Sequence, residues 1–173
     1  MSIIGNGDIA MALREGGVDR DDLLFFAAGV SNSRETRESE YQRELTLLLD
    51  QPGNAWLVYF SSLCIFSSGS RYADHKFEME RKVKENFRHH IILRMGNITW
   101  GNNPYTLINY LRAHPEAPIR DEWRYIVDKE EFWHWMRLIP DWSCEMNITG
   151  RRMKVREIYE KYVLPEGLIY ERA

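Results

Sequence analysis

Tyr72 and Lys76 stand four residues apart in "SRYADHKFEMERK", and on a helix that spacing puts both side chains on one face. A phenol with a pKa near about 10 is a poor acid or base at neutral pH. A cation beside it favours the phenolate, and the two then form a proton-transfer pair. The same residues also read as an ordinary exposed helix face, since Asp74, His75 and Glu78 are their polar neighbours. The preceding run, "VYFSSLCIF", bears on the choice. It ends an apolar strand in Ser61-Ser62, and a hydroxyl there can hydrogen-bond a carbonyl or alcohol held beside the tyrosine.

A second stretch carries anion chemistry. "IIGNGDIA" supplies Gly5-x-Gly7-x-x-Ala10 between a short strand and a helix. In that pattern the first glycine makes a tight turn and the second admits a pyrophosphate to the backbone. The small third residue packs helix on strand, and the helix N-terminus offers unpaired N–H groups to the anion. A plain strand–helix turn fits the same residues. A third stretch, "GVSNSRET", places Ser31, Asn32 and Ser33 after an apolar strand. These side chains suit phosphate or sugar hydroxyls as well as turns and helix caps.

The elements that must position these residues alternate between short apolar runs and amphipathic stretches. That alternation is the pattern of an α/β fold with a mainly parallel sheet. Strands are expected at 2–5, 23–29, 55–62 and 90–96, the second hydrophobic on both faces as buried parallel strands are. Helices are expected at 8–17, closed by Gly16 and Gly17, then at 40–51 and 72–86. Beyond residue 100 the spacing predicts helices at 103–114, 129–139 and 154–163 and a strand at 145–149. Four of the six tryptophans fall between residues 100 and 135, which reads as core or as a pocket wall. His134, between Trp133 and Trp135, reads as a packed helix residue.

Composition narrows the classes. The 173 residues suit one domain, and 44% hydrophobic with 13% aromatic content describes a folded chain. A net charge of -3 argues against general nucleic-acid or membrane-surface binding. No run approaches the length of a membrane span, and the N-terminus lacks the basic flank of a signal peptide. Cys64 and Cys144 lack metal or redox spacing and read as free thiols in a reducing cytoplasm. No histidine or carboxylate cluster has metal-ligand spacing.

Seven blocks, in order, resemble the extended short-chain dehydrogenase/reductase family, the NAD-dependent sugar-nucleotide epimerases and dehydratases. They are "GNGDIA", "LLFFAAGVSNS", "LVYFSSLCIF", "YADHKFEMER", "IILRMGNITWGNNP", "IRDEWRYIVDKEEF" and "MNITGRRMKVREIYE". The resemblance implies a reduced Rossmann-like parallel sheet with helices on both faces and a small C-terminal substrate-binding portion. Residues 1–98 would form the NAD(P)-binding core, and 99–173 a substrate-side portion packed on the same domain. Tyr72 would be the general acid/base. Lys76 would hold the nicotinamide ribose and lower the tyrosine's pKa, and Ser62 would orient the reacting hydroxyl. Gly5, Gly7, Asp8, Ile9, Ala10, Ala27, Ala28, Ser61 and Asn97 would line an NAD or NADP cofactor, with Ser31, Asn32 and Ser33 on the substrate. The implied ligand is a nucleotide-linked sugar or related small molecule, and a compact subgroup of this kind is linked to surface-polysaccharide synthesis.

The chain departs from the family pattern at three places. Only Met11 to Asp21 separate Ala10 from the next strand, too few for the second and third strands of the cofactor domain. Ser62 and Tyr72 are only 10 residues apart. Where the family places a fourth catalytic asparagine, this chain offers Glu40, Arg43 and Glu44. A non-catalytic member that binds a nucleotide or sugar, or serves as an assembly subunit, is the alternative. The shortened core also leaves the first strand as a sheet edge, where a homodimer can form.

Overall fold

The computed structural model describes residues 2–16, 18, 20–67 and 69–164. Five strands form one all-parallel sheet: β1 (Ser2–Ile4), β2 (Leu23–Phe26), β3 (Trp56–Ser62), β4 (His89–Met95) and β7 (Cys144–Ile148), side by side in that order. β2 shows why its run is apolar throughout. Phe25 joins the core on one face with Leu13, Phe60, Phe132 and Met136, while Leu24 and Phe26 join the other with Leu48, Met79 and Val83. Alternate residues of a strand point to opposite faces, so a strand covered on both sides has no polar position to spare. Helices α1 (Asp8–Glu15) and α5 (Lys129–Arg137) cover the first face, and α2 (Glu38–Leu49) and α3 (Arg71–Asn86) the second.

Beyond β4 the chain builds a second, smaller sheet. β5 (Asn97–Ile98) runs parallel to β6 (Trp123–Val127), and β8 (Arg151–Lys154) pairs antiparallel to β6. Helices α4 (Leu107–Ala113) and α6 (Val155–Tyr162) pack around a small core of Ile108, Ile126 and Ile158. β5, β6 and β8 went unforeseen from periodicity, because short strands flanked by charge show little alternation. β7 crosses back into the main sheet beside β4, so the C-terminal portion supplies one of its five strands.

Three expectations need correction. The strand at 23–29 stops at Phe26, where Ala27 to Gly29 turn toward the next helix. The helix foreseen at 103–114 begins only at Leu107, capped by Thr106, since Asn103 and Pro104 form a turn instead. His134 is exposed on α5, its ring edge-on to Trp135. α1 does close at Gly16, whose missing side chain leaves room for the Trp133 indole; Gly17 lies outside the described residues.

Candidate functional site

The carboxyl ends of β1, β2 and β3 lie side by side. The parallel register therefore brings the glycine turn, the Ala27–Gly29 turn and Ser61-Ser62 to one edge of the sheet. At Gly5 φ is +117°, a conformation open to glycine, and a Cβ there would collide with the Ala27 carbonyl. Its requirement is thus met inside the protein. Gly7 differs, for it has an ordinary φ of -77° and a Cβ there would meet nothing within 4 Å. The space over the second glycine is open, as an approaching phosphate requires. Ala10, on the inner face of α1, is fully buried, and Ile9 is half-buried against the core.

Asp8 is committed elsewhere. Its carboxylate accepts the backbone N–H groups of Asn102 and Asn103, each at 3.1 Å, while the Trp100 indole donates to its carbonyl. The 100–103 segment is thereby tied across the first turn of α1. Asn103 also donates to Ser31 Oγ at 2.9 Å, linking that segment to the serine-rich loop. Asn32 accepts from Arg34 N in a local turn, and Ser33 is exposed. Asn97 sits on β5 and donates to the Tyr125 carbonyl. Ala27 N donates to Ile4 O, and Arg43 donates to Ala28 O.

The 16-residue helix α3 presents the remaining residues. Ser70 caps it by accepting from Ala73 N, and Ala73, Lys76, Met79, Glu80 and Val83 form its buried face. Tyr72 and Lys76 do share a face, with the ammonium 5.8 Å from the phenol ring centre. The ammonium itself is taken. It donates to Glu44 Oε1 at 2.8 Å and to Tyr59 OH at 3.3 Å, and Lys76 is only 3% exposed. Glu44, fully buried on α2, also receives Tyr59 OH on Oε1, and on Oε2 the Val30 amide at 2.7 Å and His75 Nε2 at 3.0 Å. Gly29 lies against this pair, where a Cβ would stand 2.5 Å from Lys76 Nζ and 2.8 Å from Glu44 Oε1.

The electrostatics follow from that arrangement. Burial opposes ionisation of Glu44, but Lys76 and the donated hydrogen bonds overcome it and hold its carboxyl far below the usual range. Tyr72 is half-buried. Burial above all, with Cys64 and Glu44 adding to it, pushes its pKa well up, and a hydrogen bond with Ser62 works the other way. The direction is opposite to the lowering expected from Lys76, and burial of the phenol is its first cause. Ser62 Oγ also accepts from Cys64 N at 3.2 Å, while Ser61 Oγ is buried without a partner.

Glu44 is the residue that sequence reasoning left unassigned. Its signal lay in α2, where Tyr41, Glu44 and Leu48 form the buried face, so a carboxylate stands in the middle of an apolar stripe. A buried carboxylate needs a cation and donors, and α3 supplies both. Among the described residues no group of three or more His, Cys, Asp or Glu is placed to hold a metal ion, and no helix is long and apolar enough to cross a membrane. Cys64 and Cys144 are free and partly buried.

No protein-family model matches the chain, nor does any curated protein sequence. Solved structures do match. The Bordetella bronchiseptica enzyme WbmG in complex with NAD and UDP superposes with a TM-score of 0.62 at 12% identity, over 88% of this chain and 59% of that one. UDP-glucose 4-epimerase of Thermus thermophilus in complex with NAD gives 0.61 at 17% identity, over 88% and 64%. The capsular polysaccharide assembling protein CapF of Staphylococcus aureus gives 0.54 at 14%, over 84% and 46%. The chain spans less than two thirds of the length of each. The likeness is one of fold, and it bears out the Rossmann-like α/β reading.

Proposed function

We propose that this chain is an NAD(P)-linked protein of the epimerase/dehydratase type acting on a nucleotide-linked sugar, with surface polysaccharide as the pathway class. The observation that supports it best is the shared edge: an open Gly7 after β1, and Ser62 with an orphan Ser61 hydroxyl at the end of β3, stand at the same carboxyl edge of the parallel sheet, with Tyr72 in the first turn of α3 acting on Ser62. Ligands of open α/β sheets bind at that edge. A dinucleotide fits there in part. Its pyrophosphate would lie over Gly5 and Gly7 with Ala10 behind them, Ala27 and Ala28 would line the cofactor, and Asn97 would lie near the nicotinamide. The adenosine end has less support, since β2 pairs directly with β1 and β1 ends the sheet.

A bound nicotinamide supplies hydride chemistry; the chain's own residues supply position and protons. Tyr72 would donate or receive a proton at its hydroxyl, and Ser62 would align the reacting alcohol. Ser31, Asn32 and Ser33 would face the sugar from the loop that Asn103 secures. The 99–173 portion would form the substrate side, and β1 the edge at which a second copy pairs. A reducing cytoplasm suits the two free thiols.

A second reading has its own observation. Lys76 has given two of its donors to Glu44 and Tyr59, which favours a member that binds a nucleotide or sugar without turning it over. Calorimetric titration with NAD+, NADH, NADP+ and NADPH tests the first reading. Micromolar affinity lost in Gly7→Leu supports it, and no binding of any of the four overturns it. If binding holds, Tyr72→Phe is expected to keep affinity and abolish turnover of a UDP-sugar. Binding without turnover in the parent protein selects the second reading.

A further inference from the structure

The buried cluster behind Tyr72 has a geometry that the proton-transfer scheme leaves unused. Glu44 gathers four donors from two elements and one loop: Lys76 Nζ and His75 Nε2 from α3, Tyr59 OH from β3, and the Val30 amide. The Tyr41 ring packs against His75 at 4.6 Å, and Arg71 lies over Tyr41, closing the cluster on the α2 side. We infer that Glu44 is a positioning residue of this site, one that binds the Lys76 ammonium so closely that its charge is cancelled at Tyr72. Tyr72 then meets its ligand as a neutral phenol donor, not as a phenolate.

The physical reason is distance. A lone ammonium some 6 Å from a phenol in a partly buried site shifts its ionisation by about one to two pH units. A carboxylate 2.8 Å from that ammonium turns the charge into a short dipole, whose field dies away over the 5.8 Å to the Tyr72 ring. Besides Glu44, the groups acting on Tyr72 include Ser62 and Cys64, at and just beyond the end of β3, Tyr41 on α2 and Tyr59 on β3; the nearby guanidinium of Arg71 lies over the Tyr41 ring and is paired with Glu38. Gly29 keeps the assembly closed, because any side chain there would strike both members of the pair. The same contacts tether the start of the serine-rich loop through Val30, so the neutralising residue also sets where that loop begins.

The inference rests on Tyr72 and Ser62 being the ligand-facing pair, but its test reads the tyrosine alone. Failure of cofactor binding would therefore leave the outcome legible. The experiment is a pH titration of ¹³Cζ-tyrosine by NMR, with Tyr72 assigned from the signal lost in Tyr72→Phe. In the parent protein Tyr72 stays a phenol beyond the ordinary midpoint of about 10. In Glu44→Gln its midpoint falls by about one to two units. In Glu44→Gln/Lys76→Met it returns to the parent value, since both charges are gone. A merely structural Glu44 would give no such reversal. If Glu44→Gln does not fold, the double variant decides. A midpoint equal to the parent's upholds cancellation, and a rise of more than one unit means Lys76 was acting on Tyr72 all along and overturns it. An unmoved midpoint in a folded Glu44→Gln protein overturns it equally.

Discussion

Gly7 and Gly29 lie at the same edge of the sheet, at the ends of neighbouring strands, and they have opposite surroundings. A side chain at Gly7 would enter open space, whereas one at Gly29 would strike Lys76 and Glu44. The Gly7 side is clear, and the side behind the tyrosine is filled by the protein's own charges. Two motif positions at one sheet edge thus differ in whether the protein itself fills the space beside them. The second glycine of the turn opens on free space, while the lysine of Y-x-x-x-K points at a glutamate.

The largest effect expected is on the filled side. Lys76→Met leaves Glu44 buried without its cation and should cost about 3–5 kcal/mol in urea unfolding. The Glu44→Gln/Lys76→Met double variant should recover most of that, and a double variant as unstable as the single would break the contrast. Next is Gly5, whose positive φ and contact with Ala27 make Gly5→Ala cost about 1–3 kcal/mol. Gly7→Leu, on the open side, should cost about 1 kcal/mol or less while abolishing nucleotide affinity. A large stability loss there would show that the open space is not open.

The finest test is pH. The Glu44 carboxyl is depressed in the folded state, so its contribution is present above the unfolded value of about 4 and is lost as pH falls below it. Acid unfolding should start earlier in the parent protein than in the double variant. Tyr59 and Tyr72 are raised when folded. Their contribution is present below about pH 10 and lost above it, so Tm should fall on the alkaline side, and less steeply in Tyr72→Phe.

Much of the frame was legible in the chain. The four strands of the first half lie within a residue or two of the expected positions, apart from the early end of β2. Long apolar runs between glycine turns admit few alternatives in so short a stretch. The small sheet was not legible, because β6 carries Trp123, Arg124 and Tyr125 in a run whose exposed aromatics mimic core. Nor was the role of Asp8, whose partners are the amides of Asn102 and Asn103, far along the chain.

Spacing along the chain was enough for the order of elements in the first half, the glycine turn and the placing of Tyr72 and Lys76 on one helical face. These are local matters, fixed by spacing along the chain and by the period of helix and strand. The partner of Lys76 depends on the packing of the whole chain. Glu44 lies 32 residues away and reaches it because β2 and β3 are neighbours and α2 packs on α3. Charge pairing in a buried site depends on which helices meet, and that is settled by the packing of the whole sheet.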